Sequence, residues 1–312
     1  MRAVNRKFLY NVNKSSDWLY SHCHKPTPLV IDDKTIRVYF GARSISGITR
    51  TTFVDLDATD LYDLKVKYIH DKPVFEVGKL GAFDDSGANV SSLIEYKDKI
   101  YMYYIGWNPS TTVHTRNSIG VVVSRDKGVT FDRIYDGSIL DRTKDEPYYT
   151  GAVDVNKEGS IWKIWYTSGS EWIIINGKPE IKYHIKYAES ENGIDWKRNN
   201  IDCILPSFDM EVTARPSVFI KNGQYNMLYS KRGIDGFRVK SNNGYRAGYA
   251  TSSDGITWLR EDCRLNFDVS LGGWDSDEIS YPYVIKLKNK YLCFYNGNGF
   301  GKSGFGYAIL ES

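Results

Sequence analysis

Apolar and polar residues alternate along most of the chain, and the alternating runs come in pairs. Leu93-Ile94-Glu95-Tyr96, for example, is followed by a short polar stretch and then by the aromatic-rich run Ile100-Tyr101-Met102-Tyr103-Tyr104. A period of two predicts half-buried strands, and two such runs around a tight polar turn predict a hairpin. Five segments share this form, beginning at Pro28, Val90, Ala152, Pro216 and Pro282, at intervals of about 62–66 residues. The turns between paired strands are Asp32-Asp33-Lys34, Lys97-Asp98-Lys99, Asn156-Lys157-Glu158-Gly159, Lys221-Asn222-Gly223 and Lys288-Asn289-Lys290. Such residues tolerate left-handed backbone or bond their own main chain.

Three of the repeats continue with a third strand, a Ser-containing turn and a fourth strand: Ile119–Ile134, Ile185–Asn199 and Ala247–Glu261. The first of these turns, Ser124-Arg125-Asp126-Lys127-Gly128-Val129-Thr130-Phe131, fits the Asp-box pattern, a turn stabiliser remote from catalysis. Four strands per repeat is the signature of a propeller blade. The expected fold is therefore all-β, a five-bladed β-propeller with four-stranded blades, in a single domain over residues 1–312. A β-sandwich with irregular repeats is the competing architecture, and the near-constant interval argues against it. Too little chain follows Pro282 for four strands, so the segment Arg6–Val12 is expected to supply the missing outer strand and close the ring.

Composition narrows the partners. Forty-one basic against 38 acidic side chains give a net charge of +3 without a basic run, which disfavours nucleic acid. No apolar stretch is long enough for a membrane span. The N-terminal residues lack the apolar core of a secretion signal, and the four scattered cysteines fit free thiols, so a cytoplasmic address is expected. No zinc-type spacing, phosphate loop or dinucleotide motif is present, so no cofactor is expected. A divalent cation among the many acids has no ligand spacing to support it.

In a propeller the first strand of each blade lines the central channel, and residues just upstream of it form the rim of a funnel. There the chain carries acids in register: Asp84 and Asp85, Glu146, Glu211, and Asp277 and Glu278. Carboxylates converging on one funnel raise one another's pKa, which keeps one protonated while another stays ionised. The competing reading is that they are rim residues paired with arginine. Arg43, Arg116, Arg215, Arg232, Arg246 and His184 fall near the same end of the blades and suit an anionic group. Trp107, Tyr281 and Phe300 are candidates for stacking on sugar rings. Asn298 lies in the glycine-rich loop Asn296–Gly301, which allows close backbone approach to a ligand.

The stretches Gly81–Gly87, Tyr103–Asn108, Tyr183–Ala188, Ala214–Val218, Tyr245–Ala250, Gly273–Glu278 and Tyr295–Gly299 resemble the five-bladed propellers of the glycosidase superfamily. That superfamily holds glycoside hydrolase families 43, 32, 68 and 130. Within it, the chain is most similar to a glycosidase-like group associated with bacterial surface-polysaccharide genes. The resemblance implies a carbohydrate-active enzyme that cleaves or transfers a glycosyl unit. Asp84 or Asp85 would be base or nucleophile, Glu211 general acid, and Asp277 or Glu278 the third carboxylate. Arg215, Arg246, Arg232, His184, Trp107, Tyr281 and Asn298 would contact substrate. The sequence departs from the hydrolases in blade one, where His22-Cys23-His24-Lys25-Pro26-Thr27-Pro28 carries no acid but offers groups that bind anions. Two further readings stay open: a phosphorylase or transferase acting on a sugar phosphate or nucleotide sugar, and a non-catalytic glycan-binding propeller.

Overall fold

The computed structural model describes residues 1–237 and 243–311. Strand β1 (Arg2–Tyr10) is followed by β2 (Ser21–Asp32), β3 (Thr35–Arg43), β4 (Thr49–Asp57) and β5 (Lys65–Ile69). The second group is β6 (Gly87–Tyr96), β7 (Lys99–Asn108), β8 (Arg116–Ser124) and β9 (Asp132–Arg133). The third is β10 (Thr150–Glu158), β11 (Ile161–Ile175), β12 (Lys178–Ser190) and β13 (Lys197–Ile204). Then come β14 (Glu211–Lys221), β15 (Gln224–Gly233), β16 (Arg246–Ser252) and β17 (Leu259–Arg260), and finally β18 (Ser280–Leu287), β19 (Lys290–Asn296) and β20 (Phe305–Glu311).

Within each group, neighbours in sequence pair antiparallel. A single parallel bridge between Thr49 and Gly87 joins the first two groups into one sheet. The last group takes its outer strand from the N-terminus, with β1 pairing β20 from Arg2 opposite Glu311 to Tyr10 opposite Phe305. This is the closure the short final repeat demands. The first strands β2, β6, β10, β14 and β18 pack each on the next, and β18 returns to β2, so they form a ring.

The ring is stitched by a repeated device. Asp126 accepts hydrogen bonds from the backbone of Val129 and Thr130, and Ser124 Oγ accepts from the Gly128 N–H. The sister turns use Asn192 and Asp254 in the same way. Each turn then presents one carbonyl to an aromatic residue on the second strand of the preceding group. Tyr39 donates to Gly128, Tyr103 to Gly193 and Trp165 Nε1 to Gly255, at 2.7–2.8 Å. Gly128 is at φ +81°, and a Cβ there would lie 2.1 Å from the Tyr39 hydroxyl, so this turn requires glycine. The core lies between neighbouring sheets; Trp165, Tyr166, Tyr229 and Tyr295 are among its fully buried side chains.

Candidate functional site

At the end of the sheets where the first strands begin, a cavity of about 470 Å³ opens on the ring's axis. Its walls come from three kinds of position. Starts of first strands bring His24 and Lys25 (β2), Asn89 (β6), Tyr149 just ahead of β10, and Tyr281 (β18). Ends of second strands bring Arg43 (β3), Trp107 (β7) and Arg232 (β15). Third strands bring Thr49, Asn117 and Tyr183, with Tyr245 just before β16. Phe300 closes one side.

Beneath the cavity the axis is filled. Arg215 is fully buried; it donates to the Ser91 carbonyl and, at 2.9 Å, to Thr27 Oγ1, and it lies over the Tyr283 ring. Asp154 accepts from Ser92, Tyr283 and the Val218 N–H. Burial pushes the Asp154 carboxyl up and lowers Arg215 to about 10. The channel is therefore a closed-bottom cup.

The cup is positively charged. Lys25, Arg43 and Arg232 line it, and none makes an ion pair with a carboxylate among the described residues. The Lys25 Nζ stands 4.6 Å from the centre of the Tyr281 ring, and Arg232 lies 3.4 Å from that of Phe237. Lys25 retains solvent contact through the cavity but is otherwise enclosed by protein. That enclosure, with Arg215 and Arg43 as neighbours, pushes its ammonium down to about 7. His24 falls well below its usual range through burial and the nearby Arg43 and Lys25. Three side-chain atoms of the lining, His24 Nε2, Asn89 Oδ1 and Arg232 Nε, are buried without a hydrogen-bond partner. Orphaned polar atoms around an open cavity are the groups a ligand would satisfy.

The expected catalytic carboxylates take other places. Asp84 is fully buried, accepts from the Tyr104 hydroxyl at 2.9 Å and pairs with Arg133 at 2.7 Å. Glu146 does the same with Tyr166 and Arg198, and Asp275 with Tyr295 and Arg6. In all three the tyrosine follows the acid by 20 residues. Glu211 pairs with Arg260 at 2.7 and 3.1 Å and accepts from Ser207; Asp262 beside it takes the bond from Tyr229. In four of the five groups the acids thus join the second strand to an arginine on the outer strand. This corrects the expectation that Asp84 and Glu211 face the funnel: an outer-strand arginine draws each carboxylate into the blade. Asp85 accepts from Gly81 N and Ser86 Oγ within its loop. Asp277 is exposed, with its backbone held by Asn298 and Arg246. Glu278 is buried behind Phe300, accepting from the Phe300 N–H and Ser280 Oγ, and burial raises its carboxyl.

Among the expected binding residues, Arg232, Trp107 and Tyr281 line the cavity. Arg215 sits in its floor. Arg246 instead pairs with Asp268, and His184 with Asp202 at 2.7 Å on the outer side of its sheet. Asn298 holds the Asp277 and Glu278 N–H groups, supporting the loop rather than facing the cup. Tyr149, Tyr183 and Tyr245 line the cavity too, and nothing in the sequence marks them as lining residues. Their alternation matches that of the core tyrosines, and no local signal separates the two sets. Glu180 is the carboxylate among the described lining residues. No three His, Cys, Asp or Glu side chains gather as metal ligands do among the described residues, and no helix there is long and apolar enough to cross a membrane.

Ring of four-stranded sheets and N-terminal closing strand together define a β-propeller. Solved structures share this architecture. A glycoside hydrolase aligns with TM-score 0.72 at 16% identity, covering 99% of this chain and 93% of its own. A thermostable family-43 glycoside hydrolase aligns with TM-score 0.64 at 17% identity, covering 95% and 90%. The sucrose-6-phosphate hydrolase of Lactobacillus gasseri gives TM-score 0.62 at 12% identity, covering 96% and 61%. At such identities the likeness is one of fold.

In sequence, the chain belongs to the family of two Mycobacterium tuberculosis proteins, the uncharacterized proteins Rv1502 (strain H37Rv) and MT1551 (strain CDC 1551). Each is 32% identical over 297 residues, spanning 95% of both chains. No family model matches the chain.

Proposed function

We propose that this protein is carbohydrate-active and that its cup binds a glycosyl unit bearing phosphate or another anionic group. One observation carries the reading: Lys25, Arg43 and Arg232 line a single cavity without a carboxylate partner among the described residues. Charges kept out of water without counter-charges are costly, and an anionic ligand offsets that cost. Tyr281, Trp107 and Phe300 offer faces for a sugar ring, and a volume of about 470 Å³ suits a ligand of mono- to disaccharide size. In this reading the anion is part of the substrate, as in transfer or phosphorolysis at a sugar phosphate. Glu278, whose carboxyl burial pushes up, adjoins the cup as the proton donor of this reading.

Hydrolysis by a pair of funnel carboxylates has less support, because Asp84 and Glu211 are engaged in ion pairs. A purely glycan-binding role is favoured by that same engagement. Calorimetric titration with inorganic phosphate, glucose 1-phosphate, glucuronate and glucose tests the reading. The phosphate-bearing ligands are expected to bind more tightly than glucose, and Arg43→Gln to remove the difference. Equal binding of glucose and glucose 1-phosphate would overturn it. Phosphate-dependent turnover lost in Glu278→Gln, with binding kept, separates the enzyme from the binding protein.

A further inference from the structure

We propose that Lys25 is a nucleophilic amine that captures the carbonyl carbon of an anion-bearing aldehyde or ketone admitted to the cup, forming a Schiff base. The proposal rests on the reading of the cup as an anion-binding cavity and adds a covalent step to it.

Geometry is the first support. Lys25 has left-handed backbone, φ +54°, within strand β2, where a side-chain-bearing residue adopts it rarely and its surroundings must hold it. Those surroundings are specific: the Lys25 N–H donates to Asn296 Oδ1 at 2.7 Å, and Thr27 Oγ1 donates to the Lys25 carbonyl at 2.9 Å. The twist delivers the side chain into the cup, where its Nζ meets the face of Tyr281 and no carboxylate. An aromatic face gives the amine a seat but no proton acceptor.

The charge environment is the second support. Arg43 from β3 and Arg215 from β14 are the cations that face Lys25; Tyr281 from β18 covers it, and His22 and His24 flank it on its own strand. Both histidines are neutral at pH 7, pushed down chiefly by burial. A lysine enclosed by protein beside other cations is the arrangement that yields a free amine near neutrality. Among the described lysines, Lys25 is the one whose pKa is pushed down. With a value of about 7, roughly half of Lys25 is neutral at pH 7, against about three or four parts in 10⁴ of an ordinary lysine.

In the step itself, the Nζ lone pair forms a C–N bond to the carbonyl carbon, and the C=O π electrons move to oxygen, which gains a proton. The carbinolamine then expels water and the C=N bond forms. Amine and carbonyl become imine and water, with no oxidant or reductant. Arg43 and Arg232 hold the anionic end meanwhile. Open-chain sugar phosphates belong to this chemical class.

The test uses the whole protein and pyridoxal 5′-phosphate, an aldehyde carrying a phosphate, trapped with borohydride and mapped by peptide mass spectrometry. Lys25 is expected to be labelled ahead of all other lysines, with a rate half-maximal near pH 7. Inorganic phosphate should suppress this labelling, pyridoxal lacking the phosphate should label Lys25 more than about tenfold more slowly, and Lys25→Arg should abolish it. The pH profile is read on the native protein, so it stands even if the variant fails to fold. Labelling spread over surface lysines, or a Lys25 rate rising only above pH 9, overturns the proposal. If calorimetry shows phosphate bound through Arg43 while Lys25 stays unlabelled, the covalent step fails and the anion-binding reading stands. If phosphate does not bind at all, both fall.

Discussion

Replacing Glu211 by glutamine distinguishes a catalytic carboxylate from a structural one. The Glu211 side chain is 5% exposed and its partner Arg260 19%. The carboxylate accepts two bonds from Arg260 and two from Ser207. Losing one partner of a buried ion pair costs about 3–5 kcal/mol when the other is stranded. Arg260 is not stranded, because Asp262 remains 2.6 Å away, so the expected cost of Glu211→Gln is about 2–3 kcal/mol. At about 2–4 °C per kcal/mol, that is a fall of roughly 4–12 °C in melting temperature. The loss should depend on pH in one direction. Burial works to raise the Glu211 carboxyl, but its bonds to Arg260 and Ser207 outweigh this and hold it below its ordinary 4.5. Its contribution is therefore fully present above about pH 4.5 and disappears as pH falls through the lower folded value. Thermal melts of wild type and variant between pH 3 and 7 should converge at the acid end, with phosphate affinity at pH 7 unchanged. An unshifted melting temperature combined with lost turnover would refute this reasoning and return Glu211 to the catalytic role.

Three further outcomes follow from the architecture. Gly128→Ala, which forces a side chain at φ +81° against the Tyr39 hydroxyl, should cost about 2–4 kcal/mol, read as an earlier midpoint in denaturant; a midpoint within error of wild type would contradict the stitching described above. Deleting residues 1–10 removes β1 and bares the edge of β20, whose residues are buried up to Leu310, so insoluble expression is expected; a soluble, cooperatively melting truncation would show that closure by β1 is dispensable. Arg43→Gln should weaken phosphate binding by roughly 10–100-fold, the worth of about 1.5–3 kcal/mol for a charged hydrogen bond, and flatten its salt dependence; calorimetry at two ionic strengths checks both.

Much of this protein is legible along the chain. Alternating runs around Lys97-Asp98 or Asn222-Gly223, the repeat interval, the Asp-box at Ser124–Phe131 and the need for Arg6–Val12 as a closing strand are properties of neighbouring residues, and local periodicity and turn chemistry determine them. The carboxylates show where such reading stops. Asp84, Glu146 and Glu211 do recur in register, but their direction depends on Arg133, Arg198 and Arg260, each about fifty residues further on and on an outer strand. No spacing rule tells a funnel acid from a blade-closing one. The cup likewise brings Lys25 and Arg43 of the first hairpin together with Arg232 from another sheet, and Lys25 owes its lowered pKa first to burial and then to Arg215 of β14 and Arg43, an enclosure complete only once the ring has closed. Fold follows from patterns between neighbours; site charge follows from which distant side chains share a small enclosed volume, and only packing decides that.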